Sequence, residues 1–148
     1  MSTVHTLDEP ATTDLGAAIA AAWDGAPAVV YLRGPLGAGK TTLARALLRE
    51  LGVRGTVRSP TYTLVETYPT PRGAVSHLDL YRIADAGELE FLGLRDLGDG
   101  LMLIEWPERG GSALPAADLE VELAHAGAQR SVRLSARTNR GRALLPTA

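Results

Sequence analysis

Apolar and polar positions alternate along this chain in patterns that switch repeatedly between helical and extended periods. In TTDLGAAIAAAW, Leu15, Ala18, Ile19, Ala22 and Trp23 share one helical face, with Thr12 or Thr13 as the expected N-cap. APAVVYLRG is a continuous apolar run and predicts a strand buried on both faces. KTTLARALLRELG sets Leu43, Leu47, Leu48 and Leu51 in one stripe, turns Arg45, Arg49 and Glu50 away from it, and stops at Gly52. A loop at VRSPTYTL and a strand through AVSHLDLY follow. DAGELEFLGL predicts a helix in which Asp85 and Glu88 have capping-box spacing. LMLIEW reads as a second buried strand, and PERGGSALPAA as a surface loop. LEVELA and RSVRLS alternate with period two around HAGAQ, a hairpin in which Glu120 and Glu122 face Arg133 across the strands.

Strands that alternate with helices and then give way to antiparallel strands predict an α/β sandwich. Its central sheet is expected to be mixed and mainly parallel, with a C-terminal antiparallel hairpin closing the edge. The 148 residues suffice for one domain, 1–148, with 137–148 as a flexible tail. A content of 45% hydrophobic and 22% charged residues belongs to a globular chain, and no apolar run approaches the ~20 residues of a membrane span. With no cysteine, disulfides and thiolate metal sites are excluded, and a cytoplasmic location is expected. MSTVHTLDEP lacks the basic and apolar regions of a signal peptide, so export is not expected. A net charge of -2 gives no global attraction to nucleic acid; RNA contact would need a local basic patch or a partner.

Candidate chemistry enters at GPLGAGKT, Gly34 to Thr41, which matches G-x-x-x-x-G-K-[ST] between a buried strand and a helix. Small residues at Gly37, Ala38 and Gly39 let backbone N–H groups converge on phosphate oxygens, and the helix N-terminus adds partial positive charge. Lys40 is placed to bridge the β- and γ-phosphates of ATP, Thr41 to offer its hydroxyl to Mg²⁺, and Thr42 to meet the α-phosphate. The fold class is therefore a three-layer, P-loop NTPase-like sandwich.

A metal needs an acid at the end of a neighbouring strand, and two are available. LMLIE delivers Glu105 directly from an apolar run, whereas Ser76 and His77 interrupt the strand before Asp79, so Glu105 is the metal-side acid and Asp79 its neighbour. A turn-capping role for Asp79 and an ion pair for Glu105 are the alternatives. His77 reads as a hydrogen-bonded structural residue; Tyr81 and Trp106 read equally as core aromatics, and Arg82 reads equally as a partner of an acid or a phosphate and as a solvated surface cation. In SPTYT, Ser59 and Thr61 are the hydroxyls able to sense a γ-phosphate, the alternative being a proline turn with local hydrogen bonds.

In this order, LRGPLGAGKTT, SPTYTLVETY, HLDLYR, ELEFLGL and LIEWPE resemble the bacterial ATPase family of tRNA threonylcarbamoyladenosine biosynthesis, TsaE, formerly YjeE. The resemblance runs from about Thr12 to Glu108. It implies a small ATPase working with the TsaB and TsaD proteins in threonylcarbamoylation of adenosine 37 of tRNA (t6A), hydrolysis supporting turnover and the modification chemistry belonging to TsaD. It also implies that Gly37 to Thr42 hold phosphate, Thr41 and Glu105 ligate Mg²⁺, Asp79 serves hydrolysis, and Lys40 is catalytic. By the same resemblance Thr61 belongs to a switch-like loop, Trp106 is the aromatic after the acid, and Thr12 lies near the base. Tyr62 departs from a common phenylalanine. Arg137, Arg140 and Arg142 in the tail are candidates for tRNA contact or for plain solvation. A small-molecule kinase and an ATP-gated scaffold without required hydrolysis remain as alternatives; a GTPase is disfavoured because no N/T-K-x-D motif occurs.

Overall fold

The computed structural model describes residues 2–55, 65–83 and 99–146. The helix expected over DAGELEFLGL, and Ser59, Thr61 and Tyr62, lie outside the described residues.

The chain runs β1 (Ser2–Leu7), α1 (Glu9–Ala22), β2 (Ala28–Arg33), α2 (Lys40–Glu50), β3 (Val65–Thr70), β4 (Gly73–Asp79) and β5 (Leu101–Glu105). Two single 3₁₀ turns, β6 (Leu119–Ala126), β7 (Gln129–Ala136) and α3 (Asn139–Leu144) complete it. The seven described strands form one sheet in the order β1-β7-β6-β2-β5-β4-β3. Its centre, β6-β2-β5-β4, is parallel, and its outer pairings, β1 with β7, β7 with β6 and β3 with β4, are antiparallel. This is the expected mixed α/β sheet with a C-terminal hairpin, but β1, paired with β7, and not the hairpin closes that edge.

The predicted stripe of α2 is the core stripe: Leu43, Leu47 and Leu48 are fully buried and Leu51 nearly so. They pack with Ile19 and Trp23 of α1, Val30 and Leu32 of β2, and Leu101 and Leu103 of β5 into the larger apolar cluster. The opposite sheet face carries Leu78, Ile104 and Met102, covered by Leu80, Ile83 and Leu114. Here β2 differs from expectation, since Val29 and Tyr31 on this second face are only half-buried. The loop around Leu114 covers them incompletely, and the Tyr31 hydroxyl donates to Pro115 O.

The N-cap of α1 is Asp8 rather than Thr12 or Thr13. Its carboxylate accepts from Ala11 N at 2.8 Å, and Pro10 in the first turn forfeits only an N–H that has no helical partner. Thr12 lies inside the helix and donates to Asp8 O at 2.9 Å. At the other end Arg72 donates to Ala20 O and Trp23 O, at 2.6 and 2.8 Å, satisfying terminal carbonyls of α1 from the β3–β4 turn. In the hairpin Glu122 faces Arg133 as expected, but Glu120 faces Ser135 and is held instead by Arg33 and Arg137. The expected tail carries a capped helix: Thr138 accepts from Gly141 N, Leu144 is buried, and Arg140 pairs with Asp24.

Candidate functional site

Parallel pairing brings the carboxyl ends of β2, β4 and β5 to one edge of the core. The loop of residues 34–39 leaves β2 there and returns as α2, whose first residue is Lys40. Gly34, Gly37 and Gly39 all have positive φ, the conformation in which a Cβ is strained. No side chain caps α2, and no acid occupies its first turn, so its leading N–H groups remain for an anion.

Two acids complete this edge. Asp79 ends β4 and Glu105 ends β5 in direct register, and both are buried. Thr41 Oγ1 donates to the Glu105 carboxylate, 3.0 Å from Oε1 and 3.1 Å from Oε2. Asp79 Oδ1 instead accepts from Tyr81 N at 3.0 Å. Glu105, not Asp79, thus contacts the hydroxyl of the glycine-rich loop. His77, one step back along the same face of β4, lies 2.5 Å through Nε2 from Glu105 Oε2.

Lys40 is 5% exposed. Its Nζ donates to Gly34 O and, at 3.1 Å, to Pro35 O, and sits 4.1 Å from the centroid of Trp106. Burial pushes the ammonium below the ordinary lysine range, against the opposing pull of Glu105, Asp79 and Glu108. Trp106 holds a left-handed backbone at φ 58°, the one non-glycine residue with positive φ among those described. Its ring lies 5.0 Å from that of Tyr81.

These groups line one cavity of about 460 Å³. Thr12, Gly37, Ala38, Gly39, Lys40, Thr41, Thr42, Asp79, Glu105 and Trp106, chosen from different parts of the sequence, all meet in it. Sequence reasoning did not single out Arg130, Ala128 or Leu36, which form its rim. Arg130 stands in an ordinary alternating strand and carries no local signal; only the fold of the β6–β7 hairpin over the loop, where His125 Nε2 lies 3.2 Å from Leu36 O, brings it there.

The donor set suits Mg²⁺. Thr41 and Glu105 offer adjacent hard oxygens, and among the described residues no cluster of three or more His, Cys, Asp or Glu forms a cation cage. Oxygen donors of this kind are the ones Mg²⁺ takes.

Fold and site together define a mixed α/β domain with a strand, glycine-rich loop and helix set against two buried strand-end acids. The family model for threonylcarbamoyl adenosine biosynthesis protein TsaE matches residues 6–133, and the chain belongs to the TsaE family. It is 49% identical over 119 residues, 79% of this chain and 75% of the other, to the tRNA threonylcarbamoyladenosine biosynthesis protein TsaE of Haemophilus influenzae. It is 36% identical over 141 residues, 93% of this chain and 85% of the other, to the Bacillus subtilis protein of the same description. The crystal structure of Bacillus subtilis YdiB superposes with a TM-score of 0.79 at 28% identity, covering 97% of this chain and 91% of that one.

Proposed function

We propose that the chain is a P-loop ATPase that binds and hydrolyses Mg-ATP to support TsaB and TsaD in t6A formation on tRNA in the cytoplasm. The observation that carries this reading is the contact of Thr41 Oγ1 with Glu105, beside buried Lys40, at the open first turn of α2. Family membership supports the pathway, and no described helix is long and apolar enough to cross a membrane.

In this reading the backbone N–H groups of Gly37, Ala38 and Gly39 cradle the phosphates, and Lys40 moves its ammonium from Gly34 O and Pro35 O onto the β- and γ-oxygens. Thr42 meets the α-phosphate, and Thr12 and Arg130 border the nucleoside end. Thr41 and Glu105 hold Mg²⁺, which neutralises charge on the phosphate oxygens. Asp79, fixed by Tyr81 N–H, is the carboxylate that orients the attacking water. Trp106 shields Lys40 from solvent and keeps its field on the phosphates.

The test is phosphate release with Mg²⁺, by the chain alone and with TsaB, TsaD and tRNA, scored also for modified adenosine. Slow release alone, stimulated release in the mixture and repeated rounds of modification are expected. Phosphate transferred to a small molecule would make the chain a kinase. Full modification by a Glu105→Ala protein that binds but does not hydrolyse ATP would make it an ATP-gated scaffold.

A further inference from the structure

His77 is fully buried in the middle of β4, yet among the described residues only one of its ring nitrogens has a partner. Nε2 lies 2.5 Å from Glu105 Oε2, while Nδ1 has no hydrogen-bond partner among the described residues. The neighbouring strand positions in register with it are Leu103 and Glu66. A leucine or valine would pack in such a strand without leaving a polar atom unpaired, so the imidazole needs a reason beyond packing.

Glu105 supplies it. A carboxylate on two rotatable bonds beyond Cβ does not by itself choose which oxygen faces a cation, and Thr41 contacts both oxygens almost equally, at 3.0 and 3.1 Å. His77 reaches only Oε2. An ionised carboxylate only accepts, so the ring hydrogen belongs on Nε2, and Nδ1 is left as a bare acceptor. Held there, Oε2 is shared between His77 and Thr41, and Oε1 is left with Thr41 alone.

We propose that His77 is the positioning residue of the cation site: its Nε2–H fixes the Glu105 carboxylate so that Oε1 and the Thr41 hydroxyl present one preformed pair of oxygens to Mg²⁺. This rests on the reading of Thr41 and Glu105 as the Mg²⁺ ligands. Hydrogen bonds behind metal ligands set affinity by fixing ligand orientation before the ion arrives.

Two amide substitutions separate reach from polarity. In His77→Gln the amide nitrogen extends to the place of Nε2; in His77→Asn it stops near Nδ1. Mn²⁺ binding in the presence of ADP, followed by electron paramagnetic resonance, should weaken about tenfold or more in His77→Asn and by no more than about threefold in His77→Gln. ADP binding in EDTA should stay within about twofold of the parent in both, as befits a role exercised on the ligand of the cation. Equal Mn²⁺ affinities in the two variants, or equal losses with and without metal, would overturn the proposal. Should either variant fail to fold, ¹⁵N-resolved imidazole spectra of the parent without metal or nucleotide decide it: a single hydrogen on Nε2 supports it and one on Nδ1 sinks it. A parent that binds neither ADP nor Mn²⁺ refutes the ATPase reading, while these spectra still report on the His77–Glu105 bond.

Discussion

Replacing Lys40 by methionine should separate stability from function. The ammonium is buried at 5% exposure, and its pKa is lowered chiefly by that burial. A lysine whose pKa falls on folding costs stability wherever it remains charged, because the unfolded chain binds its proton more readily. Against this stand the bonds to Gly34 O and Pro35 O and the approach to the Trp106 ring. Two such bonds contribute about 1 kcal/mol each, and a cation over an aromatic ring about 0.5–1 kcal/mol. Removing the desolvated charge offsets most of that loss, and the methionine stem retains the packing. Lys40→Met should therefore unfold within about 1 kcal/mol of the parent.

Nucleotide binding should respond quite differently. If Lys40 meets the β- and γ-phosphates, each charge-assisted bond lost costs about 1.5–3 kcal/mol, so two together weaken ATP by about 10²–10⁴-fold. A phosphate ladder makes this specific: in Mg²⁺ buffer, calorimetry should find ATP most affected, ADP less, and AMP unchanged. Urea unfolding of the same preparations supplies the stability comparison. Equal losses for AMP and ATP would show that the substitution had distorted the loop, and unchanged ATP binding would remove Lys40 from the phosphate site altogether.

Other consequences follow from single contacts. An alanine Cβ at Gly34 would lie 2.3 Å from Leu123 O at φ +146°, so Gly34→Ala should cost about 2–4 kcal/mol in chemical denaturation. Gly52→Ala, with nothing within 4 Å at φ +96°, should cost only about 1 kcal/mol; equal losses would refute the steric account. Burial pushes the Glu120 carboxyl up, but hydrogen bonds and charge from Arg137 and Arg33 outweigh it and hold the pKa below the ordinary 4.5. Its stabilisation is therefore full above pH 4.5 and is lost as pH falls through the lowered value. Glu120→Gln should lose about 1 kcal/mol at neutral pH, a gap that closes on acidification in thermal melts; a constant gap would contradict this linkage. Thr41→Ala should weaken Mn²⁺ binding with ADP about tenfold and leave metal-free ADP binding intact, whereas loss of both would point to a damaged loop.

What the sequence showed clearly was whatever its chemistry completes locally. The glycine-rich loop, the leucine stripe of α2 and the alternating hairpin each need only neighbours within a dozen or so residues. Elements whose reason lies elsewhere escaped it. STVHTL becomes β1 only because β7, more than a hundred residues on, offers it an edge. VETYPT forms β3 although Pro69 interrupts its donors, which an edge strand tolerates. Thr12 and Thr13 looked like caps because hydroxyls favour that position, but Asp8 and Pro10 together define an earlier start. At the site, types and spacing singled out the loop and both strand-end acids. The pairing of His77 with Glu105 and the arrival of Arg130 at the rim depend on strand order, which no local pattern encodes.

That strand order also explains why so much charge is buried here. β5 follows β4 in sequence but lies between β2 and β4, which sets Glu105 beside Thr41 on one side and Asp79 on the other. His77, Lys40, Asp79 and Glu105 are then all buried, although isolated buried charges are costly. A fold selected for stability alone would place apolar side chains at these strand ends, as it does at Leu101, Leu103 and Val75 a few residues earlier on the same face. The parallel centre of the sheet thus divides each strand in two: the early residues build the core, and the last one or two deliver polar groups to the opening of α2. In the proposed reading a triphosphate entering there would meet one buried lysine but two carboxylates, and a divalent cation accompanying it would balance the charge. In the proposed ATPase reading, selectivity for Mg-ATP over free ATP is a consequence of where β5 sits, with Thr41, Glu105 and His77 the residues through which that position would act.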